Sequence, residues 1–272
     1  VAKRLGVSVT SIIRWFDRLN YPHPKLTECI AIDEFRGNAG GEKFQCNIAD
    51  PVKHQVIDIL PSRNMENLCK HFLEYPYKER AAVKKIIMDL STLFRSVAKT
   101  IFPEAKIVAD KFHVIRVVIN SLENVRKRIQ KEFHATKRKW FKRSRYLLLK
   151  PEYKLTDEDK IELARMLNSS YDLEKAYVLK ERFYEVFRKQ TRTEAKKELG
   201  NWLLLAADLS LPEFRHCITT FSNWKTEIAN IIGERVSNGF IEGSNNKIKV
   251  LKRISYGVQN FDRFRNRILY LQ

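Results

Sequence analysis

Three short apolar runs each end in an aspartate: CIAID at Asp33, KIIMD at Asp89 and KIVAD at Asp110. Far downstream, IEGSNNKIK sets a single acid, Glu242, ahead of two asparagines and a run of lysines. Magnesium wants hard oxygen ligands in near-octahedral geometry and commonly takes a few protein carboxylates together with waters and phosphate oxygens. Two such ions about 4 Å apart activate an attacking oxygen and stabilise a leaving one in an in-line displacement. Carboxylates at neighbouring strand ends, with one more from a helix, supply that arrangement. The plainer reading of a strand-end aspartate is a helix cap or turn former. Glu242 likewise reads either as a metal ligand or as an incidental acid on a solvated helix.

The elements that must position these acids are legible in the pattern. The three runs are too short for helices and apolar without alternation, as buried central strands are. Between the first two, KFQCNIAD and KHQVIDIL form an antiparallel hairpin turning at Pro51, so the first three strands make a meander. SRNMENLCKHFLEY then has helical spacing, with Ser62 or Asn64 as cap, and STLFRSVAKTIF follows Asp89 as a second helix. The expected order is β-β-β-α-β-α-β. In open α/β sheets, sites form beyond the carboxyl ends of the parallel strands, where all three aspartates would sit. Glu34, next to Asp33, points to the opposite side of its strand.

A formal charge of +19, from 51 basic against 32 acidic residues, favours a polyanionic partner. Nucleic acid comes first and an anionic membrane surface second. No run of about 18 apolar residues spans a bilayer, and no signal-peptide pattern opens the chain. The four cysteines form no C-x-x-C pair, which gives no support to a zinc knuckle or a disulfide framework and fits a reducing cytosol. An apolar fraction of 44% over 272 residues suffices for one large core or two modest ones.

The chain opens on Val1 inside a helical pattern, which reads as a fragment of a longer protein. In VAKRLGVSVTSIIRWFDRL, Ala2, Gly6 and Ile12 fall at the intervals of a helix-turn-helix, and Ser8 can cap the second helix. On that reading Thr10, Ser11 and Arg14 face DNA; the alternative is any short helical hairpin.

From Phe112, residues Ile115, Ile119, Leu122, Val125, Ile129 and Phe133 mark one long amphipathic helix. It leads to KRKWFKRSR, where Lys139, Trp140, Lys142 and Arg143 suit phosphate contact with an aromatic for base stacking. The same stretch reads equally as a solvated face with two core aromatics. Few strand signals follow as far as Gly233, and Tyr177, Phe183, Phe187, Trp202 and Trp224 are expected in a helical core with no cofactor. A last helix starting near SNGFIEG brings Glu242, Asn246, Lys249 and Arg253 onto one face, with Ile241, Ile248 and Leu251 opposite. Asn246 could orient the acid, and Lys247, Lys249, Lys252 and Arg253 would neutralise a phosphate backbone.

Taken together, IDEF, the meander, MDLS, ADKFH and IEGSNNKIKVLKRISYGVQNFDRFRNRI resemble an insertion-sequence transposase of the DDE class, the ISL3 family, over essentially the whole chain. The resemblance implies an α/β, RNase H-like mixed five-stranded sheet with flanking helices, interrupted by a large all-helical insertion and preceded by a partial helix-turn-helix. It divides the chain into a DNA-binding segment (1–22), a linker (23–28), the first part of the core (29–111), the insertion (112–235) and the returning core helix (236–272). It makes Asp33, Asp89 and Glu242 the catalytic ligands of two Mg2+ ions, with Mn2+ as substitute. Asp110, His113 and Asn246 become supporting residues around them, a direct metal role for Asp110 being the lesser alternative.

The implied activity is metal-dependent DNA cleavage and strand transfer. It would act on double-stranded transposon ends and target DNA, as a homodimer on DNA, in the bacterial cytoplasm at the nucleoid and with no membrane partner. Two alternatives stay open: a catalytically silent DNA-binding derivative, to which truncation would lead, and an RNase H-like nuclease without strand transfer.

Overall fold

The computed structural model describes residues 1–272 except Asn20, His23, Arg235, Ser237 and Gln272. The chain divides into two compact units, Val1–Val108 with Arg235–Gln272, and Ala109–Glu234.

The first unit is built on a five-stranded mixed sheet in the order β3-β2-β1-β4-β5. Its strands are β1 (Cys29–Phe35), β2 (Gln45–Asp50), β3 (Gln55–Leu60), β4 (Lys85–Met88) and β5 (Lys106–Ala109), the last residue of β5 falling in the second unit. β1 to β3 form the expected antiparallel meander, and β4 runs parallel to β1. Asp50 builds the hairpin turn by accepting the Val52 and Lys53 N–H groups on Oδ1 at 2.8 and 2.9 Å. Ile30, Ala31 and Ile32 on β1 are fully buried, with Ile86, Ile87 and Met88 on β4 beside them, which accounts for their unbroken apolar runs. This is the mixed α/β, RNase H-like arrangement.

Two short helices open the chain, α1 (Ala2–Leu5) and α2 (Val9–Asp17). Gly6 turns between them at φ 65, a left-handed conformation that suits glycine, and Ser8 caps α2 by accepting the Ser11 N–H at 3.0 Å. Between β3 and β4 stand two helices, not the one read from the sequence. α3 (Met65–Leu73) is capped by Asn64, and α4 (Tyr77–Ala82) is an additional turn and a half opened by Pro76. α4 carries no fully buried residue, so it has no apolar stripe to betray it. α5 (Thr92–Ile101), capped by Ser91, joins β4 to β5.

The second unit is helical among its described residues: α6 (Lys111–Ile129), α7 (Ala135–Arg143), α8 (Arg145–Leu149), α9 (Asp157–Leu167), α10 (Tyr171–Tyr184), α11 (Arg192–Asp208), α12 (Arg215–Asn223) and α13 (Lys225–Ala229). Its core is aromatic: Phe183 stacks on Phe221 at 5.1 Å and meets Trp202 edge-on at 5.0 Å. Tyr177 and Trp224 are also buried, while Phe187 is half-exposed at the end of a 3-10 turn. On α6 the buried stripe is Val114, Val118, Leu122, Val125 and Ile129; Ile115 and Ile119 lie only half-buried on its flank and Phe133 falls beyond the helix. The stripe agrees with the spacing from Leu122 onward and differs in the first two turns, where Val114 and Val118 are buried in place of their neighbours Ile115 and Ile119.

The chain returns to the first unit as α14 (Gly239–Ile254) and α15 (Phe261–Tyr270). Ile241 and Ile248 of α14 are buried, and Phe264 and Ile268 of α15 with them. Gly40, at φ 65, brings the β1–β2 loop against the α14–α15 loop, donating its N–H to the Gln259 carbonyl at 2.7 Å. A β-carbon there would stand 3.1 Å from the Phe261 β-carbon.

Candidate active site

The parallel ladder places the first two aspartates. Ile32 of β1 pairs with Met88 of β4 as the last rung, so Asp33 and Asp89 occupy the next position on neighbouring strands. Such strands run about 4.8 Å apart. Both aspartates are half-exposed at the carboxyl end of the sheet. Asp89 Oδ1 accepts the Ser91 N–H at 3.1 Å, steering the chain into α5, and Asp33 Oδ1 accepts the Glu34 N–H at 2.8 Å.

The second oxygen of Asp33 is held from across the chain. Asn245 of α14 donates its Nδ2–H to Asp33 Oδ2 at 2.8 Å, and its own Oδ1 accepts from Asn47 Nδ2 at 2.8 Å. Asn47 is the cross-strand partner of Asp33 on β2, so one amide bridges two strands to the helix. Asn47 and Asn245 are both buried, a setting in which a hydrogen bond to a charged group is worth more than in water. The local field is acidic: burial pushes the Cys46 thiol on β2 well up, and the carboxylates of Asp33, Glu34, Asp89 and Asp58 add to the effect.

The expected supporting asparagine on α14 was Asn246, and here the structure differs. Asn246 is exposed and accepts a long bond from Lys249 Nζ at 3.5 Å, while its neighbour Asn245 turns inward to Asp33. One residue is 100° of helix, and Asn245 lies on the border between the buried stripe of Ile241, Ser244 and Ile248 and the face that carries Glu242.

Glu242 is exposed on α14, one turn before Asn245 and about 5 Å from it along the helix axis. Asn246, Lys249 and Arg253 share its exposed face, as expected, and Lys247 is exposed beside them. Lys252 is half-buried, donates to the Arg36 carbonyl at 3.4 Å, and is drawn below the usual lysine value by desolvation and by the Arg36 charge. Glu34 pairs with Arg63, whose guanidinium lies 4.7 Å over the Phe44 ring.

Asp33 and Asp89 fit a divalent cation as a pair of hard oxygen donors reachable from solvent. The third carboxylate is not gathered with them in this side-chain arrangement: among the described residues, no group of three His, Cys, Asp or Glu stands close enough to hold a metal ion.

Asp110 is buried and serves as the N-cap of α6, its Oδ2 meeting His113 Nδ1 at 2.7 Å and the His113 N–H at 3.3 Å. Within the second unit, this pair is a helix-capping motif. In the basic stretch of α7, Lys139, Lys142 and Arg143 are exposed, but Trp140 is half-buried and spends its indole N–H on Glu162. Phe141 is fully buried against Phe133, with ring centroids 5.1 Å apart. Of the two aromatics, Phe141 is thus a packing residue, while Trp140 is tied by its N–H and keeps part of its surface exposed. Near the start of the chain, Thr10 and Arg14 are exposed on α2, while Ser11 is half-buried and hydrogen-bonded to Ser8 at 2.9 Å. No helix among the described residues is long and apolar enough to cross a membrane.

Three relatives frame this geometry. The transposase of insertion sequence element IS1001 from Bordetella parapertussis is 26% identical over 241 residues, covering 87% of this chain and 59% of that protein. The transposase of element IS1557 from Mycobacterium tuberculosis is 27% identical over 206 residues, covering 67% of this chain and 46% of that one. The chain thus spans about half the length of these relatives. A Lactococcus lactis protein named "ATP-dependent protease" is 32% identical, but over only 116 residues, 42% of this chain and 35% of that protein. The present sequence contains no G-x-x-x-x-G-K-S/T phosphate loop of the kind that binds ATP. Residues 30–268 match the family described as transposase, DDE_Tnp_ISL3, and with nearly the whole chain covered the protein belongs to the ISL3 family of DDE transposases.

Proposed function

We propose that this chain carries the catalytic portion of an insertion-sequence transposase, which cuts DNA in a divalent-metal-dependent reaction and joins the freed end to a target. The observation that carries the reading is that Asp33 and Asp89 follow the last rung between two adjacent parallel strands, with the helix of Glu242 tied to Asp33 through Asn245.

Asp33, Asp89 and Glu242 act as the carboxylate set, Glu242 being carried on the helix that Asn245 ties to Asp33. A pair of Mg2+ ions, or Mn2+ in its place, would supply Lewis-acid activation of the attacking oxygen and stabilisation of the leaving one. Asp33 and Asp89 present oxygens to that centre, and Asn245 keeps the Asp33 carboxylate turned toward it. Lys249 and Arg253, on the exposed face with Glu242, neutralise backbone phosphates as DNA is drawn in. In the first step a water oxygen attacks the phosphorus, the P–O3′ bond breaks and a 3′-hydroxyl is released. That hydroxyl then attacks a target phosphate, displacing its 3′-oxygen.

α1 and α2 act as part of a DNA-reading helix pair through Thr10 and Arg14, and two chains bring two element ends together. Alanine at Asp33, Asp89 or Glu242 is expected to abolish Mg2+-dependent cleavage of transposon-end DNA while leaving duplex binding intact. Undiminished cleavage in all three variants would refute the assignment.

A second reading is a DNA-binding derivative without catalysis, favoured by the exposed Glu242 and the absence of a three-acid cluster among the described residues. It predicts duplex binding indifferent to Mg2+ and no turnover with any end sequence.

A further inference from the structure

The helical unit contains a basic concavity that the catalytic reading does not use. A basin of about 580 Å3 is lined by Arg126, Lys127 and Lys131 near the end of α6 and by Arg138, Lys142 and Arg145 from α7 and α8, with Glu123 and Gln130 at its floor. Six cations face one carboxylate.

The floor is internally satisfied. Arg126, almost fully buried, donates Nε–H and Nη2–H to Glu123 at 2.8 and 3.2 Å and Nη1–H to Gln130 at 2.6 Å. Arg145 adds a longer contact to Glu123 at 3.6 Å. The rim is not. Lys127, Lys131, Arg138 and Lys142 are without an acidic partner among the described residues, although Lys127 lies beside Arg128, which holds both Glu213 at 2.6 Å and Asp172 at 2.9 Å. Acids are thus available on the unit and are concentrated elsewhere. Clustered unpaired cations repel one another, and an anionic partner relieves that repulsion.

We propose that this basin is a binding site for the phosphate backbone of duplex DNA, separate in sequence from the carboxylate set and from the basic face of α14. The inference rests on the reading that the chain handles DNA. Arg138 and Lys142 stand one turn apart on α7, about 6 Å along its axis, and Lys127 and Lys131, four residues apart near the end of α6, line the same basin. A DNA strand carries one phosphate every 3.4 Å of duplex axis, and cations gathered in one basin can neutralise such phosphates without reading bases. Of the basic stretch on α7, it is thus Arg138 and Lys142 that the basin recruits, with Lys139 and Arg143 outside its lining.

The test uses the full chain and a fluorescent random-sequence duplex, with affinity followed by anisotropy across about 50 to 200 mM salt. Lys131→Ala/Lys142→Ala removes two basin charges, and Lys160→Ala/Lys197→Ala removes two from exposed positions elsewhere on the same unit. Each lost phosphate contact lowers the slope of log K against log salt by about 0.9, so the basin variant is expected to lose roughly 2 units of slope and the control almost none. Lys131→Gln/Lys142→Gln, keeping long polar side chains at both exposed sites, should repeat the loss with an unchanged melting temperature. Equal slopes for wild type and basin variants overturn the basin, as does an equal loss in the control. Loss of binding to a polyglutamate peptide with an unchanged DNA slope overturns it in favour of an acidic protein partner. Failure of the wild-type chain to bind duplex at any salt overturns both the basin and the DNA-handling reading beneath it.

Discussion

Asn245 Nδ2 stands 2.8 Å from Asp33 Oδ2, linking residues 212 positions apart through one neutral hydrogen-bond donor. The amide cannot flip freely, because Asn47 donates to its oxygen at 2.8 Å. It orients Asp33 without adding charge to a site that already concentrates carboxylates. With Asp33 as a ligand in the proposed metal site, Asn245→Ala is expected to weaken Mn2+ binding by about 10- to 100-fold, the usual consequence of losing a group that holds such a ligand. Titration followed by electron paramagnetic resonance measures it directly. Wild-type Mn2+ affinity in Asn245→Ala would separate this amide from the metal site.

The opening helices are held to the first unit by Arg263 of α15, which grips Asp17 with Nε at 2.8 Å and Nη2 at 2.6 Å. Phe16 adds an edge-on contact with Tyr270 at 5.7 Å. The Arg263 hydrogen bond lowers the Asp17 pKa. The contact is therefore complete above the ordinary aspartate range and is lost as pH falls through the lowered value. Protection of the α2 amides, measured relative to their intrinsic exchange rates, should fall on acidification and at high salt, and Asp17→Asn should show the low protection at every pH. Protection in α2 that is insensitive to both would sever this link.

Thiol reactivity should separate the four cysteines. Cys29, Cys46 and Cys217 are buried and Cys69 is partly exposed. Burial pushes Cys217 up to about 11 and Cys46 well above the usual thiol value. Since the thiolate is the nucleophile, both stay protonated and unreactive at neutral pH and ionise only in strong alkali. A disulfide reagent should label Cys69 alone in the folded chain and all four cysteines in denaturant. Rapid labelling of Cys46 would contradict its packing.

Lys180 is buried in the helical unit, where its ammonium donates to the Leu148 carbonyl at 2.9 Å and the Lys150 carbonyl at 2.6 Å. It lies 4.2 Å over the Tyr177 ring, and desolvation lowers its pKa. Lys180→Met keeps the stem but strands two carbonyls at the end of α8 and removes the ion-pair partner of Glu181, 2.5 Å away. The expected loss is about 2–4 kcal/mol, read from urea unfolding. A loss below about 0.5 kcal/mol would mean that water takes over both carbonyls.

Much of the fold could be read from residue order because it depends on local pattern. Unbroken apolar runs mark the strands buried on both faces, Asp50 and Pro51 mark the hairpin, and Asn64 and Ser91 mark helix starts. α4 was missed because a six-residue helix without a buried stripe leaves no periodic trace. The phase of the first two turns of α6 and the choice between Asn245 and Asn246 were also closed to inspection. Both residues lie at the edge of an amphipathic face, where one position is enough to exchange solvent for core.

The sequence by itself determined the mixed α/β sheet, the excess of positive charge and the placing of Asp33 and Asp89 directly after the apolar runs of neighbouring strands, because strand periodicity and burial act over a few neighbouring residues, although β1 runs on two residues past Asp33 to Phe35. Only the tertiary structure decided which amide reaches Asp33, that Trp140 is occupied by Glu162, and that Arg138 and Lys142 share a hollow with Lys127 and Lys131. Those outcomes depend on which faces of different helices meet, and that is set by packing across the chain.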